Sequence, residues 1–262
     1  MSRRIMVLPD VHFPVQDDEA LEVVKSACEY LDPHEVVQLG DLLDCADTST
    51  HGRKLLTEET GTYLEGEIVP AIEFLDALQN RGGRSPRLLT LIEGNHEHRL
   101  MRWCLELGSM GSDVYKMLAP RHLLTERTNV EWVPFMEHET GFQRHMLAPN
   151  LACVHGWSHA KKAADQHMSK ARHQYSVCFG HVHRGTSSDP VMLDSGEYVY
   201  SWSPGMLCKR TPLYMHDKGP NAWHTGFSVI YQSHDNPRDW THYTVTIAKG
   251  RCVLPDGKEI RV

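Results

Sequence analysis

Residues 35–44 read EVVQLGDLLD, a mostly apolar run that stops at Gly40-Asp41. A short apolar run bounded by a turn signal predicts a buried strand. The same pattern occurs in residues 4–8, RIMVL, and in residues 87–92, RLLTLI. We therefore expect three buried strands in the first third of the chain.

Helical patterns separate these strands. Residues 17–31, DDEALEVVKSACEYL, repeat apolar residues at the spacing of one helix face and carry acidic residues in the first turn. Both features favour an amphipathic helix. Residues 57–79 and 97–127 are also predicted to be helical, the first of them interrupted by glycines and a proline. The order strand, helix, strand, helix, strand predicts a layered α/β core.

The second half of the chain is richer in predicted strands. Strand-like runs are VEWVPF (130–135), FQRHML (142–147), LACVHG (151–156) and YSVCFG (175–180), with a helical stretch near 158–171. More strands are predicted after residue 190. Because no repeat, low-complexity tract or linker marks a boundary, we expect one domain over residues 1–262, with a helical cap inserted around residues 97–150.

Composition and charge disfavour several classes of protein. The 262 residues are 40% hydrophobic and 23% charged, which is typical of a soluble globular protein. No apolar run approaches the roughly 18 residues that span a bilayer, and residues 1–10 lack a signal-peptide core. We therefore expect a cytoplasmic protein with no membrane contact. The net charge of −7 counts against tight binding of duplex DNA, which usually needs a basic surface.

Cysteine and histidine usage adds two expectations. The seven cysteines include no CxxC pair, so we expect reduced thiols buried beside strands rather than a disulfide framework. Eighteen histidines are a high number for a chain of 262 residues. Since histidine is the commonest metal ligand and the usual acid–base group near neutral pH, the composition directs attention to a metal or catalytic site.

Polar side chains follow five of the predicted strands at the point where each strand ends. In α/β sheets, ligands bind in the crevice outside the carboxyl ends of the strands. We therefore expect these seven side chains to converge: Asp10, His12, Asp41, Asn95, His155, His181 and His183.

Each of these residues also has an ordinary structural interpretation when it is taken alone. His181 and His183 could face water from one side of a strand, and Asn95 after a glycine is a common turn residue. Five such strand ends in one chain are a poor coincidence. Mixed oxygen and nitrogen ligands in this number suit two hard or borderline divalent ions, whereas a structural zinc site favours thiolates.

The five motifs together resemble the calcineurin-like metallophosphoesterase superfamily. In chain order they are D-x-H at 10–12, GD-x-x-D at 40–44, GNHE at 94–97, HG at 155–156 and GH-x-H at 180–183. The resemblance implies an α/β (α+β) fold in which two mixed β-sheets form a sandwich flanked by helices. It also implies a dinuclear metal site at the strand ends.

The resemblance further implies a ligand set for each ion. Asp10, His12, Asp41 and His183 would hold one ion, and Asp41, Asn95, His155 and His181 the other, with Asp41 as the bridge. Manganese is expected first, with iron, zinc, nickel and magnesium as alternatives. His96 would be the general acid, and Asp44 would orient it.

The implied activity is hydrolysis of phosphate mono- or diesters by a metal-bridged hydroxide, with the proton for the leaving group supplied by histidine. The second motif lacks the Arg-Gly that follows it in protein serine/threonine phosphatases. The pattern is closer to the phosphodiesterase, nuclease and small bacterial or phage phosphoesterase branches. Arg99 and Arg184 either clamp a phosphate or are ordinary surface arginines.

The substrate is left open by the sequence. Trp103 or Tyr115 in the segment after the third motif could stack a base, or could pack the small core of a cap. The lysines and arginine of residues 157–173 could hold a nucleotide or nucleic-acid backbone, or could be solvated. The alternatives are therefore a metal-dependent nuclease of the repair-exonuclease type and a non-catalytic scaffold. The oligomeric state is not indicated.

Overall fold

The computed structural model describes residues 2–48, 62–137, 141–211 and 222–262. The strands in these ranges are β1 (Arg3–Leu8), β2 (Glu35–Gln38), β3 (Leu88–Ile92), β4 (Val130–Val133), β5 (Met136–Glu137), β6 (Gly141–Phe142), β7 (His145–Ala148), β8 (Leu151–Val154), β9 (Ser176–Phe179), β10 (Gly185–Ser187), β11 (Val191–Met192), β12 (Tyr198–Val199), β13 (Ser201–Pro204), β14 (Gly226–Gln232), β15 (Trp240–Thr246), β16 (Arg251–Val253) and β17 (Glu259–Arg261). The α-helices are α1 (Asp18–Leu31), α2 (Val69–Gln79), α3 (Asn95–Glu106), α4 (Gly111–Leu118), α5 (Pro120–Thr125) and α6 (Ala163–Lys170).

Two large mixed sheets form the centre of the described structure. The first has the order β15-β14-β1-β2-β3-β4, in which β1 to β4 are parallel and β14 and β15 antiparallel. The second has the order β10-β13-β9-β8-β7, in which β13, β9 and β8 are parallel. The predicted architecture of two mixed sheets with flanking helices is confirmed.

The continuous apolar run of β1 follows from burial on both faces. Ile5 and Val7 belong to the core between the two sheets, where they join Cys153 and Trp202 of the second sheet. Met6 and Leu8 point the other way, into the larger core that the first sheet forms with α1 and α2. Because successive strand residues face opposite sides, a strand between two apolar layers cannot show polar alternation.

Helix α1 begins and ends where the sequence signals predict. The Asp17 side chain accepts a hydrogen bond from the Ala20 backbone N–H, and the acidic first turn complements the helix dipole. The chain leaves the helix at Asp32, which adopts a left-handed conformation with φ of 42°. The apolar face of α1 is buried in the core from Ala20 to Leu31.

The segment after the third motif is helical only in part. Residues 95–125 form α3, α4 and α5, as the helical pattern predicts. Strand β4 then pairs with β3 in the first sheet, so the remainder of the expected cap at 97–150 returns to sheet structure. Residues 57–61 of the first predicted helical stretch lie outside the described residues, and residues 63–68 form a π-helical turn that leads into α2.

The cysteine and membrane expectations can be compared with the structure directly. All seven cysteines lie in the described ranges, and all are buried free thiols, as predicted. Across those same ranges, we find no helix with both the length and the apolar character that a bilayer crossing needs.

Candidate metal centre

The carboxyl ends of strands from both sheets meet at one place. The His155 Nδ1–H, just after β8, donates to the Leu39 carbonyl, just after β2, at 2.9 Å. The Gly180 backbone N–H, just after β9, donates to the His155 carbonyl at 2.8 Å. These contacts join the strand ends of the two sheets, and the seven predicted ligands converge there.

Asp41 lies at the centre of the cluster. Its Oδ2 is 3.7 Å from His12 Nε2 on one side and 3.4 Å from His155 Nε2 on the other. The Asp41 Oδ1 accepts the His96 backbone N–H at 2.9 Å, which fixes the carboxylate plane. One oxygen is therefore held in place while the other faces two groups of potential ligands.

The first group of potential ligands surrounds His12. Its Nε2 lies 3.1 Å from the Nε2 of His183, and the latter is 3.5 Å from Asp10 Oδ1. The His12 Nδ1–H donates to Asp44 Oδ1 at 3.0 Å, so the lone pair of neutral His12 is on Nε2 and faces the cluster. A carboxylate that orients a histidine in this way is common beside metal sites.

The second group of potential ligands surrounds His155. With Nδ1–H donating to Leu39, the Nε2 of His155 faces Asn95 Oδ1 at 2.9 Å. His181 completes this group, and its ligand atom lies within 4.8 Å of those of Asp41 and His155. The structure thus brings together all seven predicted residues in two groups that share Asp41.

The chemistry of the donor set fits divalent cations. The His12 and His183 Nε2 atoms face each other at 3.1 Å, an arrangement that suits two lone pairs only when a cation or a proton lies between them. Two buried carboxylates, Asp10 and Asp41, lie beside them. Carboxylate oxygens and imidazole nitrogens are both common ligands of divalent ions. The residues therefore fit the ions that the sequence predicts.

The backbone at the cluster is strained. His12, Asp41, His181 and His183 have φ angles of 56°, 51°, 70° and 56°, in the left-handed region that residues other than glycine rarely adopt. Each such residue costs about 1–3 kcal/mol, and such strain concentrates at functional sites. Four of the seven predicted ligands are strained in this way, and they make up four of the nine residues other than glycine that have a positive φ in the described ranges.

The glycines of the motifs are required because ligands pack against their α-carbons. A Cβ on Gly180 would lie 2.6 Å from Asp10 Oδ2, and one on Gly40 would lie 2.7 Å from His155 Nδ1. A Cβ on Gly94 would overlap both the backbone nitrogen and the Oδ1 of Asp41. The sequence shows these glycines beside the ligands, and the structure supplies the reason.

We expect Gly94→Ala to displace Asp41 and weaken metal binding. Overpacking of this kind costs about 1–3 kcal/mol of folding stability, and the larger effect should be on the metal content of purified protein. Gly82→Ala is the control, because a Cβ there meets nothing within 4 Å. The positive φ of Gly82 makes this substitution destabilising through backbone strain rather than through a steric clash. Equal metal content in the two variants would contradict the steric explanation.

Glu97 is a positioning residue whose role the sequence alone does not indicate. Its buried carboxylate accepts the backbone N–H groups of Asp41 at 3.2 Å, Leu43 at 2.8 Å and Gly94 at 2.9 Å. It therefore joins the loops of the second and third motifs. Glu97 is the last residue of the GNHE motif, but the motif does not show which groups its side chain contacts.

Electrostatics divide the histidines of the second group. Burial lowers the pKa of His155, but the carboxylates of Asp41 and Asp10 outweigh it and raise the pKa to about 9. Burial and the nearby His155 lower the pKa of His181 to about 4. In the metal-free protein at neutral pH, His155 is therefore a cation beside Asp41, whereas His181 is neutral.

Metal affinity should consequently depend on pH. A protonated His155 cannot bind a metal through Nε2, so loading at pH 7 must release that proton. Because its pKa is about 9, we expect the apparent affinity to rise about tenfold per pH unit between pH 7 and pH 9. Calorimetric titrations in buffers of different ionisation enthalpy would measure the released proton. An affinity that does not change over this range would contradict the prediction.

His96 and Asp44 lie together beside the cluster. The His96 Nδ1–H donates to the Asp44 backbone carbonyl at 2.7 Å, and the Asp44 Oδ1 is 3.2 Å from the same nitrogen. The His96 Nε2 then faces Asp41 Oδ2 at 3.8 Å. Asp44 contacts His12 as well as His96, which the motif did not indicate. The roles of general acid and orienting carboxylate remain predictions.

The two predicted phosphate-binding arginines are placed differently. Arg99 Nη1 lies 3.3 Å from His96 Nδ1, so its guanidinium is beside the His96 ring. Arg184 instead donates to the Ala160 carbonyl at 2.7 Å, in the loop before α6. A role in phosphate binding remains a prediction for both.

Cys208 is a neighbour of the cluster that sequence reasoning missed. Its buried Sγ lies with the ring nitrogens of His12 and His183, all within 4.8 Å of one another. The segment is brought there when the Leu207 backbone N–H donates to the Asp10 carbonyl at 2.7 Å. No motif links a cysteine at 208 to residues 10 and 12, so only the fold could reveal it.

The sequence is similar to one known protein family and to one phage protein. The sequence profile of calcineurin-like phosphoesterases matches residues 3–200. The Gene 54 protein of Mycobacterium phage L5 is 24% identical over 245 residues, which cover 88% of this chain and 89% of that protein.

Two solved structures also match. Vps29 of Chaetomium thermophilum, in complex with a cyclic peptide, superimposes with a TM-score of 0.51 at 13% identity, covering 100% of this chain and 94% of that one. The E. coli phosphoesterase YfcE has a TM-score of 0.41 at 16% identity, covering 92% and 98%. At these identities the Vps29 likeness shows the shared fold alone.

Proposed function

The chain belongs to the calcineurin-like phosphoesterase family, and on this premise we propose that it hydrolyses phosphate esters with two divalent ions. The observation that carries the proposal is the position of Asp41 Oδ2, within 3.7 Å of His12 Nε2 and 3.4 Å of His155 Nε2. A carboxylate oxygen between two groups of potential ligands suits a bridge.

The ions would be held in two sets. The first set is Asp10, His12, Asp41 and His183, and the second is Asp41, Asn95, His155 and His181. Two divalent ions supply Lewis acidity, which activates water near neutral pH and offsets the charge that develops on the phosphate oxygens. Manganese is our first expectation for both positions. The Cys208 sulfur beside His12 and His183 favours iron or zinc as the alternative at the first position.

The residues around the ions hold the ligands in place. The His181 backbone N–H donates to both oxygens of Asp10, at 2.8 and 3.0 Å, and Glu97 fixes the backbone of Asp41. Contacts of this kind pre-organise the ligands, so little rearrangement is needed when the ions and substrate bind.

We assign the transfer of a proton to His96. With Nδ1 held by Asp44, the Nε2–H of His96 faces the cluster near Asp41 Oδ2. An imidazolium in this position can give its proton to the leaving oxygen of the ester as the bond to phosphorus breaks. The Asp44 carboxylate, 3.2 Å from the other ring nitrogen, helps to hold the ring in this orientation.

A nuclease would differ from a phosphoesterase that acts on small esters only in its substrate, because the same residues would serve both activities. A scaffold, by contrast, would bind partners without catalysing a reaction. A protein that uses the fold only to bind partners has no need for four strained ligand positions or for a histidine paired with Asp44. We therefore place catalysis ahead of a scaffold.

Metal-resolved assays of EDTA-treated protein test the proposed function. The substrates are p-nitrophenyl phosphate, bis-p-nitrophenyl phosphate, 2′,3′-cyclic nucleotides and single- and double-stranded DNA, each with Mn²⁺, Ni²⁺, Mg²⁺ or Zn²⁺. We expect no turnover without metal and recovery with at least one ion. Cleavage of DNA at low enzyme concentration would identify the protein as a nuclease. Two bound ions without turnover of any substrate would contradict the proposed function and favour a scaffold.

A further inference from the structure

A cavity of about 300 Å³ adjoins the metal centre at His155 and Gly156. It lies between β6 and α6, and its volume is at the lower end of the range for small-molecule sites. None of the predicted site residues other than His155 lines it. The cavity is therefore a separate space that opens beside one side of the cluster.

Aromatic side chains form much of the cavity wall. The Phe135 and Phe142 rings meet edge to face with centroids 5.0 Å apart, and Phe135 also contacts the His155 ring at 5.8 Å. Trp157 lines the cavity two residues after His155. A flat aromatic group bound here would lie next to a phosphate at the metal centre.

Two cationic side chains line this cavity. Lys170 Nζ is 4.0 Å from the centroid of the Phe142 ring and 4.6 Å from that of Trp157. The Arg144 guanidinium lies 5.3 Å from the centroid of Tyr175. Within the described ranges, neither cation forms a salt bridge with a carboxylate, and their contacts with rings leave their charge available to an anion.

The wall at Trp157 is held rigidly. His167 donates from Nδ1 to the Ala163 carbonyl at 2.7 Å and accepts the Trp157 backbone N–H at Nε2, at 3.3 Å. The His167 ring also stacks on Phe179 with centroids 4.0 Å apart. A rigid aromatic wall loses little conformational entropy when a ligand binds.

We propose that this cavity binds a nucleotide unit of the substrate, with the base against Phe135, Phe142 and Trp157 and a second phosphate at Lys170 and Arg144. This inference rests on the proposed function, because it places the phosphate to be cleaved at the neighbouring metal centre. A purely apolar aryl ester would leave the two cations unused, and a sugar phosphate would leave the aromatic wall unused. Duplex nucleic acid does not fit, since its bases are stacked and a cavity of this size admits one base.

Binding of defined nucleotides tests the inference without relying on turnover. Calorimetry would compare adenosine 5′-monophosphate, a dinucleotide and orthophosphate, on protein as purified and after EDTA treatment. We expect the nucleotides to bind at least tenfold more tightly than orthophosphate. Phe142→Leu and Lys170→Met should each reduce the dinucleotide affinity about 5- to 100-fold, the range expected for a lost stacking or phosphate contact.

Lys258→Met is the matched control, because Lys258 is an exposed lysine that also lies over an aromatic ring, 5.6 Å from the centroid of Tyr30, and does not line the cavity. Affinity that rises further for single-stranded oligonucleotides, and falls in Lys170→Met, would identify nucleic acid as the source of the nucleotide. Affinity confined to mono- and dinucleotides would identify free nucleotides. Nucleotide affinity equal to that of orthophosphate, or unchanged in both cavity variants, would overturn the inference even if the enzyme hydrolyses esters.

Discussion

Asp41→Asn should lose at least one metal ion per chain and more than 100-fold in activity while it keeps the fold. Asparagine can still accept the His96 backbone N–H that Asp41 Oδ1 accepts at 2.9 Å. Its amide nitrogen would then replace the Oδ2 that faces His12 and His155. An amide nitrogen has no free lone pair to bind a cation, and the lost negative charge no longer offsets the repulsion between two cations. The loss should therefore exceed the 10- to 100-fold effect of removing an outer partner of a metal ligand.

Metal analysis and circular dichroism on the same preparation would check this prediction. Asp76→Asn makes the same chemical change at an exposed position on α2 and should keep the metal content and activity of the wild type. Wild-type turnover in Asp41→Asn would remove Asp41 from its central role. Loss of the native spectrum would show instead that the carboxylate is needed for folding.

His96→Ala should keep both ions and slow esters with poor leaving groups by about 10²–10⁴-fold, the usual contribution of a positioned general acid. The alanine retains the backbone N–H that binds Asp41 Oδ1, so the bridge stays in place. Esters of p-nitrophenol should be much less affected, because their leaving oxygen departs as a stable anion without a proton.

The measurement is kcat for an alkyl phosphate ester and for a p-nitrophenyl ester with the same metal. His98→Ala is the matched control on the same helix, since the His98 side chain is buried to a similar degree but contacts Glu93 and Phe135. Equal slowing of both esters in His96→Ala would count against proton transfer. Loss of metal would show that the imidazole acts as a ligand.

The architecture of the sheets could be predicted because it depends on local patterns. The runs at residues 4–8, 35–39 and 87–92 are mostly apolar and show no regular polar alternation, since strands β1, β2 and β3 are buried between two layers. The end of the helical segment after α5 could not be placed, because the return of β4 to the first sheet depends on pairing with β3. Such long-range pairing leaves no local signal.

The site shows the same division between local and long-range information. The seven predicted ligands each follow a strand directly, so their convergence follows from the strand ends. Glu97, Cys208 and the cavity wall act through contacts with residues far away in sequence. Phe142 of β6 and Lys170 of α6, for example, lie in contact. The lysine belongs to a basic stretch that the sequence shows, but nothing in the sequence indicates that Phe142 lies beside it.

A crystal structure of metal-loaded protein, with anomalous scattering measured at the metal edge, would test the proposed dinuclear centre most directly. We predict two ions per chain, about 3.5–4 Å apart, with the carboxylate of Asp41 bound to both and the imidazoles of His183 and His181 bound to different ions. A single ion at full occupancy, or two ions without Asp41 between them, would contradict the dinuclear centre on which the proposed function rests.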